Sequence, residues 1–127
     1  MAIRRTYARL WADDLDSSLP LLRELTGAEP DLRFAFAELE LAAIGDFLVI
    51  AAPPEVRARY ANASATVVVD DLDALAGKLD AHGATVIVAE ASSDTGRFLY
   101  ARHPGGAEVE YVQWNEELAR RVLGDNR

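Results

Sequence analysis

Apolar and polar positions along this chain follow two periods, and the order of those periods repeats. Tyr7–Ala12 and Ala65–Val69 read as strands. Each runs into a group of aspartates, after which leucines recur at helical spacing. Leu15, Leu19, Leu22 and either Leu25 or its neighbour at 26 mark a helix over 15–26, and Leu72, Leu75, Ala76 and Leu79 mark one over 72–82. Pro20 falls beyond the first turn of the earlier helix, so a kink or a late start is expected there. The rest of each half reads as strand. In the first half Arg33–Ile44 is apolar, Gly45-Asp46 is a turn and Phe47–Ala52 is a strand. In the second half Thr85–Ala89, Phe98–Arg102 and Glu108–Trp114 are strands, with a loop over Ser92–Gly96 and a tight turn at His103-Pro104-Gly105-Gly106.

The repeat is visible in the residues themselves. Asp13-Asp14-Leu15-Asp16 returns as Asp70-Asp71-Leu72-Asp73, Leu22 returns as Leu79, and Gly27-Ala28 returns as Gly83-Ala84. Asp14 and Asp71 suit helix N-caps, since a carboxylate accepts orphan backbone N–H groups. Asp16 and Asp73 then lie in the first turn, where the helix dipole favours negative charge. Gly27 and Gly83 allow the positive φ of a helix C-cap. One domain of two modules is expected: module one over about 5–52, a connector over 53–63 with a helical turn near 55–60, module two over about 64–114, and a frayed helical tail over 115–127.

Composition narrows the function. The charge is −8, from 21 acidic and 13 basic residues, which disfavours a phosphate backbone as partner. Nucleic acid is therefore not expected, and a neutral or cationic small molecule is. No apolar run reaches the roughly 18–20 residues of a membrane span. Asp13 and Asp14 interrupt the stretch after Met1-Ala2-Ile3-Arg4-Arg5, so a targeting segment is not expected. The absence of cysteine excludes thiolate metal sites and a cysteine nucleophile, and fits the cytoplasm.

Three stretches carry a resemblance to a known family: Leu10-Trp11-Ala12-Asp13-Asp14-Leu15-Asp16, Ala65–Asp73, and above all Arg102-His103-Pro104-Gly105-Gly106-Ala107-Glu108-Val109-Glu110-Tyr111-Val112. Over about residues 5–114 the chain resembles the vicinal oxygen chelate superfamily, which includes glyoxalase I, extradiol dioxygenases and the fosfomycin and bleomycin resistance proteins. The resemblance implies an α+β fold: two tandem βαβββ modules forming an open, curled mixed sheet with helices on the convex side. It places the family's metal-ligand positions at Tyr7, Ser64 and Glu110. Strand alternation then puts Arg9 and Trp11 with Tyr7, Thr66 and Val68 with Ser64, and Glu108, Val112 and Trp114 with Glu110, all toward the ligand. Phe98, Tyr100 and Arg102 share one face, and Phe34 and Phe36 share another whose side the pattern leaves open.

Two of the three ligand positions are hydroxyls that stay protonated at neutral pH, so no metal or other cofactor is expected. Glu110 could instead pair with Arg9 or Arg102. The resemblance thus implies a homodimer of the bleomycin-resistance type that sequesters a bulky aromatic molecule, an antibiotic or natural product, without catalysis. Its ligand-binding residues would be Tyr7, Arg9, Trp11, Phe36, Ser64, Thr66, Phe98, Tyr100, Arg102 and Glu110. The alternative is a lyase or transferase of the same fold using Glu110 with Tyr7 or Tyr100. A third reading is an interaction module whose cavity is filled by its own side chains.

Overall fold

The computed structural model describes residues 1–124. Two compact units emerge, Tyr7–Asn62 and a second made of Met1–Thr6 with the chain from Ala63 onward. Both are α+β and both follow one plan.

In the unit Tyr7–Asn62, strand β1 (Ile3–Ala12, entering from the other unit) leads into helix α1 (Leu15–Thr26). Strands β2 (Leu32–Phe36), β3 (Leu39–Ile44) and β4 (Phe47–Ala51) follow, then helix α2 (Pro54–Tyr60). Strand order is β2-β3-β4-β1, antiparallel except for the parallel β1–β4 pair. Leu15, Leu19 and Leu22 of α1 pack on Ala42, Ile44, Val49 and Ala51. In the other unit, β5 (Ala63–Val69), helix α3 (Leu72–Ala81), β6 (Thr85–Ser93), β7 (Gly96–Arg102) and β8 (Glu108–Trp114) repeat the scheme, and helix α4 (Glu116–Leu123) follows. Its order is β5-β8-β7-β6, again with the first strand parallel to the last, β5 to β8, and the other pairs antiparallel. Leu72, Leu75 and Leu79 of α3 pack on Val67, Val69, Leu99, Ala101 and Tyr111.

Both expected N-caps form and Gly27 (φ 68°) is the C-cap of α1, but α3 ends at Ala81 with His82 as its C-cap, so Gly83 (φ 83°) lies one residue beyond the cap. Asp14 accepts from the Ser17 N–H at 2.8 Å, and Asp71 accepts from the Ala74 N–H at 3.0 Å. The first-turn aspartates also tie each helix start to a strand, since Arg33 bonds Asp16 at 3.0 Å and Arg97 bonds Asp73 at 3.3 Å. Arg97 also bonds Glu90 and the Gln113 side chain, whose Oε1 accepts from the Leu72 N–H at 2.8 Å. These contacts hold the Arg97 guanidinium pKa above its ordinary value, with the hydrogen bond to Asp73 as the chief cause.

Several expectations are corrected. Arg33–Ile44 is two strands, because Ala37 takes a left-handed conformation (φ 53°) and turns the chain between β2 and β3. Helix α1 starts at Leu15 despite Pro20, which sits on the exposed side while the Asp14 cap sets the start. Of the two positions left open at the end of the stripe, Thr26 continues Leu15, Leu19 and Leu22 at 3.6-residue spacing, and Leu25 is 67% exposed. Strand β6 runs on to Ser93 and β7 starts at Gly96, which shortens the expected loop. The tail is helical over Glu116–Leu123, capped by Asn115 on the Leu118 N–H, with Leu118 and Ala119 buried. The rest of the expected tail, 125–127, lies outside the described residues.

Candidate functional site

Register assigns every strand residue to a side. In the unit from Ala63, α3 covers the face of Val67, Val69, Leu99 and Tyr111. The other face carries Thr66, Glu110 and Tyr100 in one row, since Thr66 pairs with Glu110 across β5–β8 and Glu110 pairs with Tyr100 across β8–β7. The Thr66 hydroxyl donates to Glu110 Oε1 at 2.7 Å. Phe98 lies two residues along, its ring edge-on to Tyr100 with centroids 6.4 Å apart. Thr66 and Tyr100 are buried, and Phe98 and Glu110 are half-buried. Arg102 bonds Glu108 at 3.3 Å through Nε, so the expected Arg102–Glu110 pair gives way to the carboxylate directly opposite it on β8.

Ser64 leaves this pattern. Ala63 pairs with Glu108 and Ala65 with Val109, so β5 carries one extra residue there. That residue is Ser64, exposed on the bulge and set apart from the Thr66–Glu110–Tyr100 row.

In the unit Tyr7–Asn62, the face away from α1 holds Tyr7, Arg9 and Trp11 of β1. Arg9 pairs with Leu48 and Trp11 with Ile50. Ile50 pairs with Leu41, Leu41 with Phe34, and Leu39 with Phe36. Phe34 and Phe36 therefore lie on the Trp11 side, which alternation alone left open. Tyr7 is fully buried. The Trp11 ring has the Arg57 guanidinium of α2 at 5.5 Å from its centroid and that of Arg9 at 5.7 Å, both within cation–π range. Its indole N–H is buried without a hydrogen-bond partner among the described residues.

The donors at the positions the resemblance implied as metal ligands do not fit a divalent ion. Tyr7 and Ser64 offer neutral hydroxyls, Ser64 sits on an exposed bulge, and Glu110 accepts a bond from Thr66. Among the described residues, no three of His, Cys, Asp and Glu come together as a metal-binding group. His103 is engaged elsewhere: its Nε2 lies 2.7 Å from the Tyr111 hydroxyl, with the two rings stacked at 6.0 Å. Burial pushes the Tyr111 phenol above its ordinary pKa.

A cleft of about 490 Å³ opens in the unit Tyr7–Asn62, lined by Asp13, Asp14, Glu38, Glu40, Ala51, Ala52, Pro53, Pro54 and Arg57. None of the ten residues expected from sequence lines it; Trp11 meets it through Arg57. The aspartates carried a legible signal as helix caps. Glu38, Glu40 and Arg57 carried none, because a turn and a connector bring them together from distant parts of the chain.

No family model and no curated protein matches the chain. Solved structures do. An uncharacterized protein from Methanosarcina mazei is 32% identical with a TM-score of 0.81, covering 91% of this chain and 96% of its own. Methylmalonyl-CoA epimerase from Mycobacterium tuberculosis is 19% identical with a TM-score of 0.71, covering 89% of each chain. Methylmalonyl-CoA epimerase from Streptomyces coelicolor, solved with 2-nitronate-propionyl-CoA, is 17% identical with a TM-score of 0.68, covering 91% of this chain and 97% of that one.

Proposed function

Since the chain has the fold of the vicinal oxygen chelate superfamily, we propose that it is a metal-independent binding protein for a bulky aromatic small molecule. The observation that supports this is the row on β5, β8 and β7. Phe98 and Tyr100 form an aromatic wall, and Glu110, held by Thr66, supplies one placed carboxylate beside it. Apolar walls with a few oriented polar groups are what such ligands require. The equivalent face of the other unit, with Tyr7, Arg9, Trp11 and Phe36, is a second candidate surface. Arg102, paired with Glu108, sits at the margin of the first. An antibiotic or other natural product, bound and released unchanged, fits this reading.

The test is a titration of intrinsic tryptophan fluorescence against a panel of planar natural products, repeated with Phe98→Ala and Trp11→Ala. Loss of one stacking ring weakens binding about 2- to 10-fold. Unchanged affinity in Phe98→Ala removes the β7 face from the site, and unchanged affinity in Trp11→Ala removes the β1 face. Mass spectrometry of the recovered compound separates the second reading, an enzyme using Glu110 with Tyr100. That reading is favoured by the direct cross-strand pairing of those two residues and by the epimerases that share the fold. Turnover lost in Glu110→Gln establishes it in place of sequestration.

A homodimer is part of the same proposal. In its unit β6 is an edge strand with most residues exposed, a ready surface for a second chain. Light scattering at micromolar concentration should give about twice 13.8 kDa. A monomer throughout a dilution series refutes it.

A further inference from the structure

We propose that the cleft between the start of α1 and the start of α2 binds a small zwitterion, a molecule bearing a protonated amine and a carboxylate. The cleft shares no residue with the aromatic row on β5, β8 and β7. Two observations converge on it. The first is size: about 490 Å³ lies within the range of small-molecule sites. The second is charge that remains unpaired. Asp14 is occupied as the α1 cap, but the side chains of Asp13, Glu38 and Glu40 make no hydrogen bond or ion pair among the described residues. Arg57 shares the cleft with them and forms no ion pair there either, its guanidinium lying over the Trp11 ring.

Opposite charges lining one cleft without touching define what lies between them. A simple anion meets Arg57 but is repelled by four carboxylates. A simple amine meets the carboxylates but faces Arg57 and leaves the guanidinium without an anion. A ligand with both groups answers both walls: its carboxylate accepts from Arg57, and its ammonium donates to the carboxylates. Ala51, Ala52, Pro53 and Pro54 give an apolar wall for the carbon framework between them.

The experiment uses the full chain and three forms of one probe, alanyl-phenylalanine, followed by isothermal titration. The form with free termini carries both charges, the C-terminal amide only the positive one, and the N-acetylated form only the negative one. The free form is expected to bind, with each capped form about tenfold weaker or worse. Arg57→Gln should bring the free form down to the affinity of the amide, and Glu40→Gln should weaken the free form and the amide together. Both side chains line an open cleft, and matching melting temperatures for the variants establish that folding is intact. The proposal is overturned if the amide binds as well as the free form, if Arg57→Gln leaves affinity unchanged, or if none of the three binds at millimolar concentration. Loss of aromatic-ligand binding in Phe98→Ala tests the other face and leaves this outcome untouched.

Discussion

Gly96→Ala is expected to destabilise the protein by about 3–5 kcal/mol, a third or more of what a domain of this size has. Gly96 opens β7 at φ +144°, a region closed to side chains with a Cβ. A Cβ there would overlap the Gln113 carbonyl oxygen and stand 2.9 Å from Trp114 Cα and 3.1 Å from Asn115 N. All three are backbone atoms, so no rotamer can make room. Relief by movement would cost more contacts. Asn115 N donates to the Thr95 carbonyl at 2.8 Å, and the Asn115 side chain caps α4. Urea unfolding measures the effect as a lowered midpoint. A loss under about 1 kcal/mol would mean that the β7–β8 hairpin opens more readily than its register indicates. Gly27→Ala is the control. Its φ is 68°, but nothing lies within 4 Å of a Cβ, so only the left-handed strain of about 1–2 kcal/mol applies.

The second large effect falls on α1. Leu19→Ala should cost about 2–5 kcal/mol, because Leu19 is 1% exposed and packs with Leu15 and Leu22 against Ala42, Ile44 and Val49. Those strand residues are held by hydrogen-bonded neighbours and can close little of the cavity left behind. Leu21→Ala, two residues on, should change stability by no more than about 0.5 kcal/mol, since Leu21 is 62% exposed. Equal losses at both sites would mean that α1 is rotated about its axis from the orientation described.

The α1 stripe is local information and the Gly96 contact is not. The starts, N-caps and core stripes of α1 and α3 were legible in the sequence, because they depend on residues three or four apart. Asp14 and Asp71 cap where expected, and Leu15, Leu19, Leu72, Leu75 and Leu79 point inward as their spacing requires. The doubling of the βαβββ unit was legible for the same reason, since each copy repeats the same local signals. Alternation also put Arg9 and Trp11 on the face of Tyr7, as far as the strand was regular.

Tertiary structure decided whatever depends on which strand lies beside which. The bulge at Ser64 breaks alternation, and no residue type announces it. The left-handed turn at Ala37 carries no glycine to mark it. Arg102 chose Glu108 over Glu110 because register sets the two side chains opposite each other. The cleft draws Asp13, Glu38, Glu40 and Arg57 from separate points of the chain. Local propensities act over a few residues and leave a periodic trace in the sequence. Pairing between distant strands is settled by the packing of both faces at once, and that leaves no trace in either strand alone.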